Sequence, residues 1–186
     1  MITTYTTRGA LIVLAFAMSS LAVRAQTFPK TLAAATEVSG ATGRLTGSMT
    51  IQVDRLMEEL DFKKVSDALK VNGYLRFLPV LRTLPPVGYV QLGDTRTVLK
   101  FAHMRANGKT LVLGTDRPIF FIGGGAPDAK PKAGYEMGVL ELDLDAQGNG
   151  TGTMAAAARV KHTADGGVAI DDYAEKPVKL TVKPAK

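Results

Sequence analysis

Leu45-Thr46-Gly47-Ser48-Met49-Thr50-Ile51-Gln52-Val53-Asp54 is the stretch on which the fold turns. Leu45, Gly47, Met49, Ile51 and Val53 alternate with Thr46, Ser48, Thr50, Gln52 and Asp54. A period of two puts the sets on opposite faces of an extended strand. One face is apolar and the other small and polar, the pattern of an antiparallel sheet packed on one side.

The period then changes. Leu56, Leu60, Val65, Ala68 and Leu69 recur at near-helical spacing, with Asp61 as a capping residue where the helix restarts. Asn72-Gly73 supplies a left-handed stop. Leu75, Leu78 and Leu81 carry a second short helix with Pro79 in its first turn, and Pro85-Pro86 ends it. From Val87 onward the pattern is strand and turn. Asn107-Gly108 and Gln147-Gly148-Asn149-Gly150 read as hairpin turns. Arg117–Ile122, apolar apart from its first residue, reads as a strand with Pro118 at its start or edge, so that Asp116 and Arg117 point to opposite faces, and Gly123–Gly134 reads as an exposed mobile loop. In Tyr135–Asp145, Leu140, Leu142 and Leu144 oppose Glu141, Asp143 and Asp145. The last strands are Thr151–Lys161, Val168–Tyr173 and Pro177–Lys183. Residues 26–42, rich in Thr, Ala and Gly, are expected to be loose.

These elements predict a mainly β protein with a short helical pair. It is a single-domain antiparallel barrel-like fold, or a strongly curved sandwich, of about eight or nine strands. Two short helices follow the first strand, and the domain spans residues 43–186. The order of strand, helix pair and meander resembles small intracellular fatty-acid-binding barrels, in topology alone.

Residues 1–25 read as a cleavable signal peptide. Arg8 precedes an apolar run from Ala10 to Val23, and Val23-Arg24-Ala25 fits a small-residue cleavage site before Gln26. The run is shorter than the roughly 20 residues of a membrane-spanning helix, and no transmembrane span is expected in the mature chain. The expected location is the periplasm or the exterior. Arg8 and Arg24 are the charged residues of that segment, so its removal lowers the net charge from +6 to +4. Lys and Arg are scattered rather than clustered beside aromatics, which argues against a nucleic-acid partner.

Composition narrows the chemistry. The chain has no Cys and no Trp. Disulfides, thiolate metal sites and cysteine nucleophiles are thereby excluded. Ser39, Ser48 and Ser66 are the serines after residue 25, and none lies in a G-x-S-x-G elbow. His103 and His162 lack paired ligand spacing, and His103 shares a face with Leu99 and Phe101 if its strand is regular. No metal or cofactor is expected. Asp143 and Asp145 are the weak metal candidates, because Asp143-x-Asp145 echoes a calcium loop that lacks its closing Glu. Glu141, Asp143 and Asp145 form an acidic ladder, read first as a solvated strand face and second as a hydrolytic carboxylate pair.

Thr115-Asp116-Arg117-Pro118-Ile119, the Leu140–Leu144 alternation running into Gly148 and Gly150, Asp172-Tyr173-Ala174 and Pro177-Val178-Lys179-Leu180 are similar to a group of exported bacterial proteins. The resemblance implies a bacterial, exported, single-domain protein and brings no activity or site residue.

Removing these chemistries leaves binding. The leading expectation is a non-enzymatic barrel holding a small lipophilic or amphipathic ligand between Leu99, Phe101, Ile119, Phe121 and the helix pair. Arg117 would stand at the mouth for a ligand carboxylate, or else pin the strand end through Glu136 or Glu141. The alternative is an envelope-associated interaction module, drawn from the Gly123–Gly134 loop and the Lys-bearing last strand.

Overall fold

The alternating stretch forms a strand, β2 (Gly43–Val53), as its pattern requires. The structure is a computed structural model that describes residues 27–40, 43–119, 132–164, 167–174 and 176–185. The expected signal peptide, Phe121 and the expected loop from Gly123 as far as residue 131 lie outside the described residues.

Around β2 stand β1 (Lys30–Gly40), α1 (Glu59–Asn72), α2 (Tyr74–Thr83), β3 (Gly88–Leu92), β4 (Thr95–Met104), β5 (Thr110–Thr115), β6 (Met137–Leu144), β7 (Gly150–His162), β8 (Val168–Tyr173) and β9 (Val178–Pro184). Every strand pairing is antiparallel. Strands β1 to β7 pair in sequence, β7 pairs with β9, and β9 returns to β1, which closes an eight-stranded barrel. Strand β8 lies outside that ring. It continues the β9 edge of β7, since β9 takes Gly150–Met154 and β8 takes Ala158–His162.

Residues 26–42 are therefore not loose over most of their length. The alternation of β1 is muted because its positions are filled by Thr and Ala, yet Leu32 and Ala34 are buried. Its conformation comes from partners on both sides: β2 from Lys30↔Val53 to Gly40↔Gly43, and β9 from Leu32↔Pro184 to Glu37↔Lys179. Consequently the helices follow the second strand, not the first.

The helices also differ in detail. Helix α1 starts at Glu59, with Glu58 as the N-cap residue and Asp61 already in its first turn. Gly73 ends it at φ 68°, its N–H donating to the Leu69 carbonyl at 3.0 Å. The same Gly73 opens α2, accepting from the amides of Arg76 and Phe77. Starting there, α2 places Pro79 inside the helix rather than in its first turn.

Two apolar clusters hold the molecule. One fills the barrel, with Leu32, Ile51, Leu99, Leu111, Leu140 and Met154 among its members. The other lies between the helices and the outer wall, where Val65, Phe77 and Leu81 meet Phe101, Val112, Met137 and Ala158. Completely burying a side chain such as Phe77 or Leu81 contributes about 1.5–3 kcal/mol. Strand β5 is buried at all its positions: the helix cluster takes the outer side at Val112, and Asn107 and Asp143 close over Thr110.

A bulge in β4 sets this two-sided arrangement. Leu99 lies opposite Thr115 and Phe101 opposite Gly114, which leaves Lys100 as the extra residue. Leu99 and Ala102 belong to the interior cluster, whereas Phe101 belongs to the outer one. Phe62 of α1 stacks on His103 at 3.9 Å and lies 6.2 Å from Phe101. The regular strand that would align Leu99, Phe101 and His103 is thus corrected. The freed Lys100 ammonium donates to the Leu84 carbonyl at 2.5 Å, just past α2, where a cation suits the helix end.

One end of the interior depends on a missing side chain. A Cβ on Gly138 would stand 2.6 Å from Ile119 Cγ1 and 2.9 Å from Thr115 Oγ1. The Gly138 N–H donates to Thr115 Oγ1 at 2.8 Å, so this close approach is hydrogen-bonded. Gly138→Ala is expected to cost about 1–3 kcal/mol by overpacking, and Ile119→Ala about 2–5 kcal/mol by cavity formation. In urea denaturation the double variant should lose clearly less than the sum of the two, because truncating Ile119 makes room for the new methyl. Strict additivity would show that they do not share this space.

Candidate functional site

Many outward strand positions that the helices leave uncovered carry hydroxyl or charged side chains. Register aligns them across the barrel. Ser48, Ala35, Thr181, Thr151, Asp143 and Thr110 are successive cross-strand partners on β2, β1, β9, β7, β6 and β5. Beside them runs a second row, Thr46, Glu37, Lys179, Thr153 and Glu141. Five strand spacings make the first row about 24 Å long.

Two clefts open along these rows and share Thr151, Gly152 and Thr153. The larger, about 480 Å³, is lined by residues of β1, β2, β7 and β9, among them Thr36, Glu37, Thr46, Lys179 and Thr181. The smaller, about 290 Å³, adds Arg105, Thr110, Glu141 and Asp143. Thr36 is buried, and its hydroxyl has no hydrogen-bond partner among the described residues.

The charged groups of the smaller cleft are held. Arg105 Nη2 donates to Glu141 Oε1 at 2.9 Å, with both side chains partly buried. Thr110 Oγ1 donates to Asp143 Oδ1 at 2.5 Å and accepts from Asn107 Nδ2 at 2.9 Å. Asn107 Oδ1 in turn accepts from the amides of Lys109 and Thr110, which fixes the Asn107-Gly108 turn. In the larger cleft Glu37 pairs with Arg44 at 3.2 Å and lies opposite Lys179.

The residues singled out in the sequence do not form one site. Leu99 and Ile119 are enclosed in the barrel interior, while Phe101 is on the other side of the wall. Arg117 is exposed and pairs with Asp116 at 3.6 Å, not with Glu136 or Glu141. Residues 116–119 are a bend rather than a strand, so the two neighbouring side chains meet instead of pointing apart. His162 Nε2 lies 3.2 Å from Ser66 Oγ. Among the described residues no three His, Asp or Glu side chains converge as metal ligands. Arg105 and the threonines of β7 and β9 were not singled out, and only the register could have found them.

The acidic ladder divides. Glu141 and Asp143 line the smaller cleft, whereas Asp145 closes the following turn. Its Oδ1 accepts from the amides of Gln147 at 2.9 Å and Asn149 at 2.8 Å. Burial acts to raise the Asp145 pKa, but the hydrogen bonds from Asn149, Gln147 and Gly148 outweigh it and hold the carboxyl below its ordinary value. A depressed folded value means stability that is complete above the unfolded pKa, about 3.9, and lost as pH falls through the folded value. Asp145→Asn keeps an acceptor for the two amides but removes the titration. Urea midpoints measured from pH 7 down to pH 2 should therefore fall less steeply for the variant than for the parent. Parallel curves would remove Asp145 from the acid response.

Compared with known proteins, the chain matches no family model, no curated protein and no solved structure.

Proposed function

We propose that this protein is an exported binding module whose ligand lies across the outer wall of the barrel. The ligand class is a polyhydroxyl chain, a glycan or similar polymer. One observation carries the reading: two adjoining clefts, about 480 and 290 Å³, share the Thr151-Gly152-Thr153 segment and are lined by hydroxyls and charges of both signs. Short side chains admit an extended ligand across the strands. Hydroxyl, carboxylate, ammonium and guanidinium groups supply the donors and acceptors a polyol needs.

This reading develops the envelope-associated alternative, with Lys179 of the last strand in the larger cleft. The small lipophilic ligand has less support. Its proposed contacts Leu99 and Ile119 are part of the packed interior, and Phe101 is separated from them by the wall.

The test is titration of the ¹⁵N-labelled protein with a panel of neutral and acidic oligosaccharides. Saturable shifts should centre on the amides of Thr151–Thr153 and Lys179–Thr181. Thr151→Val combined with Thr153→Val should weaken binding about tenfold, the loss of two hydrogen bonds of about 0.5–1.5 kcal/mol each, with an unchanged urea midpoint. Absence of shifts across the panel, together with a co-purifying lipid, would return the reading to an apolar guest. For export, the protein recovered from the periplasm should begin at Gln26 on N-terminal sequencing. Retention of residues 1–25 in the cytoplasm would overturn that part.

A further inference from the structure

The exposed large apolar side chains of the described residues are Leu45, Leu60, Val71 and Leu75. Val71 is 74% exposed and Leu75 82%, and they flank Gly73, the residue that joins α1 directly to α2. The join forms an elbow, Lys70-Val71-Asn72-Gly73-Tyr74-Leu75-Arg76, with both bare hydrophobes at its bend and a cation on either side. The helices bury Val65, Leu69, Phe77, Leu78 and Leu81 against the wall, so these two side chains contribute nothing to the core beneath.

Charge along the chain at the elbow is one-sided, although Glu136 of the neighbouring segment packs against Tyr74, its amide donating to the Tyr74 hydroxyl at 2.9 Å. Residues 68–93 contain no Asp or Glu, while Lys70, Arg76 and Arg82 lie within them. The nearest acid along α1, Asp67, is held by Lys63 at 2.8 Å. Lys64, Lys70 and Arg76 are exposed and make no ion pair among the described residues. Two isolated apolar side chains on a projecting bend offer no groove for a partner helix and too little area for a stable protein interface. Apolar tips flanked in the chain by exposed cations fit a surface that is itself apolar below and anionic above.

We propose that the α1–α2 elbow docks on an anionic lipid surface, with Val71 and Leu75 entering the headgroup zone and Lys64, Lys70 and Arg76 meeting lipid phosphates. No described helix is long and apolar enough to cross a membrane, so the contact is peripheral. The helices pack against β7 at Ala155, Ala158 and Val160, whereas the clefts use its other end at Thr151–Thr153. Leu60 marks the boundary of the effect. It is as exposed as Leu75, but Glu58, Glu59 and Asp61 surround it in sequence and repel anionic lipid.

The test is co-sedimentation of the protein purified from the periplasm with two kinds of vesicle. One is pure phosphatidylcholine; the other is an equal mixture with phosphatidylglycerol. Binding is expected to the mixed vesicles alone and to fall as salt rises. Val71→Ser and Leu75→Ser should each lower partitioning about tenfold. Lys70→Gln and Arg76→Gln should each lower it about fivefold and flatten its salt dependence. Leu60→Ser should leave it within about twofold, and all five variants should keep the parent's urea midpoint. Equal binding to both vesicles, no binding, or binding indifferent to the elbow variants would overturn the proposal. A dimer abolished by Leu75→Ser would overturn it too, by assigning the elbow to a second copy of the chain. Residues 1–25, if retained, would bind neutral vesicles regardless of the elbow, and the mass of the same sample would reveal them.

Discussion

Everything in this fold depends on β1 hydrogen-bonding on both its edges. On one side it holds β2 along its whole length, and on the other it holds β9 from Leu32↔Pro184 to Glu37↔Lys179. Without it, β2 and β9 would present open edges, and the interior cluster would be exposed along a seam. A chain without disulfides has no covalent substitute for that closure. The strand that closes the barrel is also the one with the weakest sequence pattern. Its small Thr and Ala side chains let β1 sit between two neighbours, and they form part of the flat polar surface on the outside.

The wall of the barrel is used on both faces, but differently around its circumference. Along part of β4 to β7, at Phe101, Val112, Met137 and Ala158, it is sandwiched between the interior and the helices. Elsewhere its outward positions meet solvent and carry hydroxyls and charges. The bulge at Lys100 manages the transition. It turns Phe101 from the inside to the outside, where α1 and α2 need an aromatic floor, and it sends the Lys100 ammonium to the end of α2. One extra residue therefore links the filling of the barrel to the anchoring of the helices. Tyr74 adds a second tie, its hydroxyl accepting from the Glu136 amide at 2.9 Å, and burial raises its pKa above the ordinary phenol value.

The legible part of the sequence was the part with strong period and distinct turns. Strands β2, β6 and β9 alternate large apolar residues with polar ones, and Asn107-Gly108 and Gly148 mark the β4–β5 and β6–β7 turns by residue type. Two things left no such mark. Composition hides β1, because Ala and Thr read as loose chain until a neighbour pairs with them. A bulge hides itself altogether: nothing about Lys100 announces that Phe101 will face away from Leu99. The candidate site was illegible for a third reason. Thr46, Glu37, Lys179, Thr153 and Glu141 come from five strands and are adjacent only through register, which pairing fixes and a single sequence does not. The acidic ladder, by contrast, was visible but not its division, since alternation cannot tell a carboxylate that lines a cleft from one that closes a turn.

The seam between β1 and β9 also imposes an order on biogenesis. Its two strands are the first and last of the barrel in the chain, so their contact has nearly the greatest sequence separation the domain allows. A nascent chain emerging from its N-terminus can form the β1–β2 hairpin early, yet it must keep the outer edge of β1 unpaired until β9 arrives. During that interval the edge is a template for any other extended chain. Glu37 and Lys30 on β1 are the charges available to discourage such pairing, and a chaperone that shields a single strand edge would be enough to cover the gap.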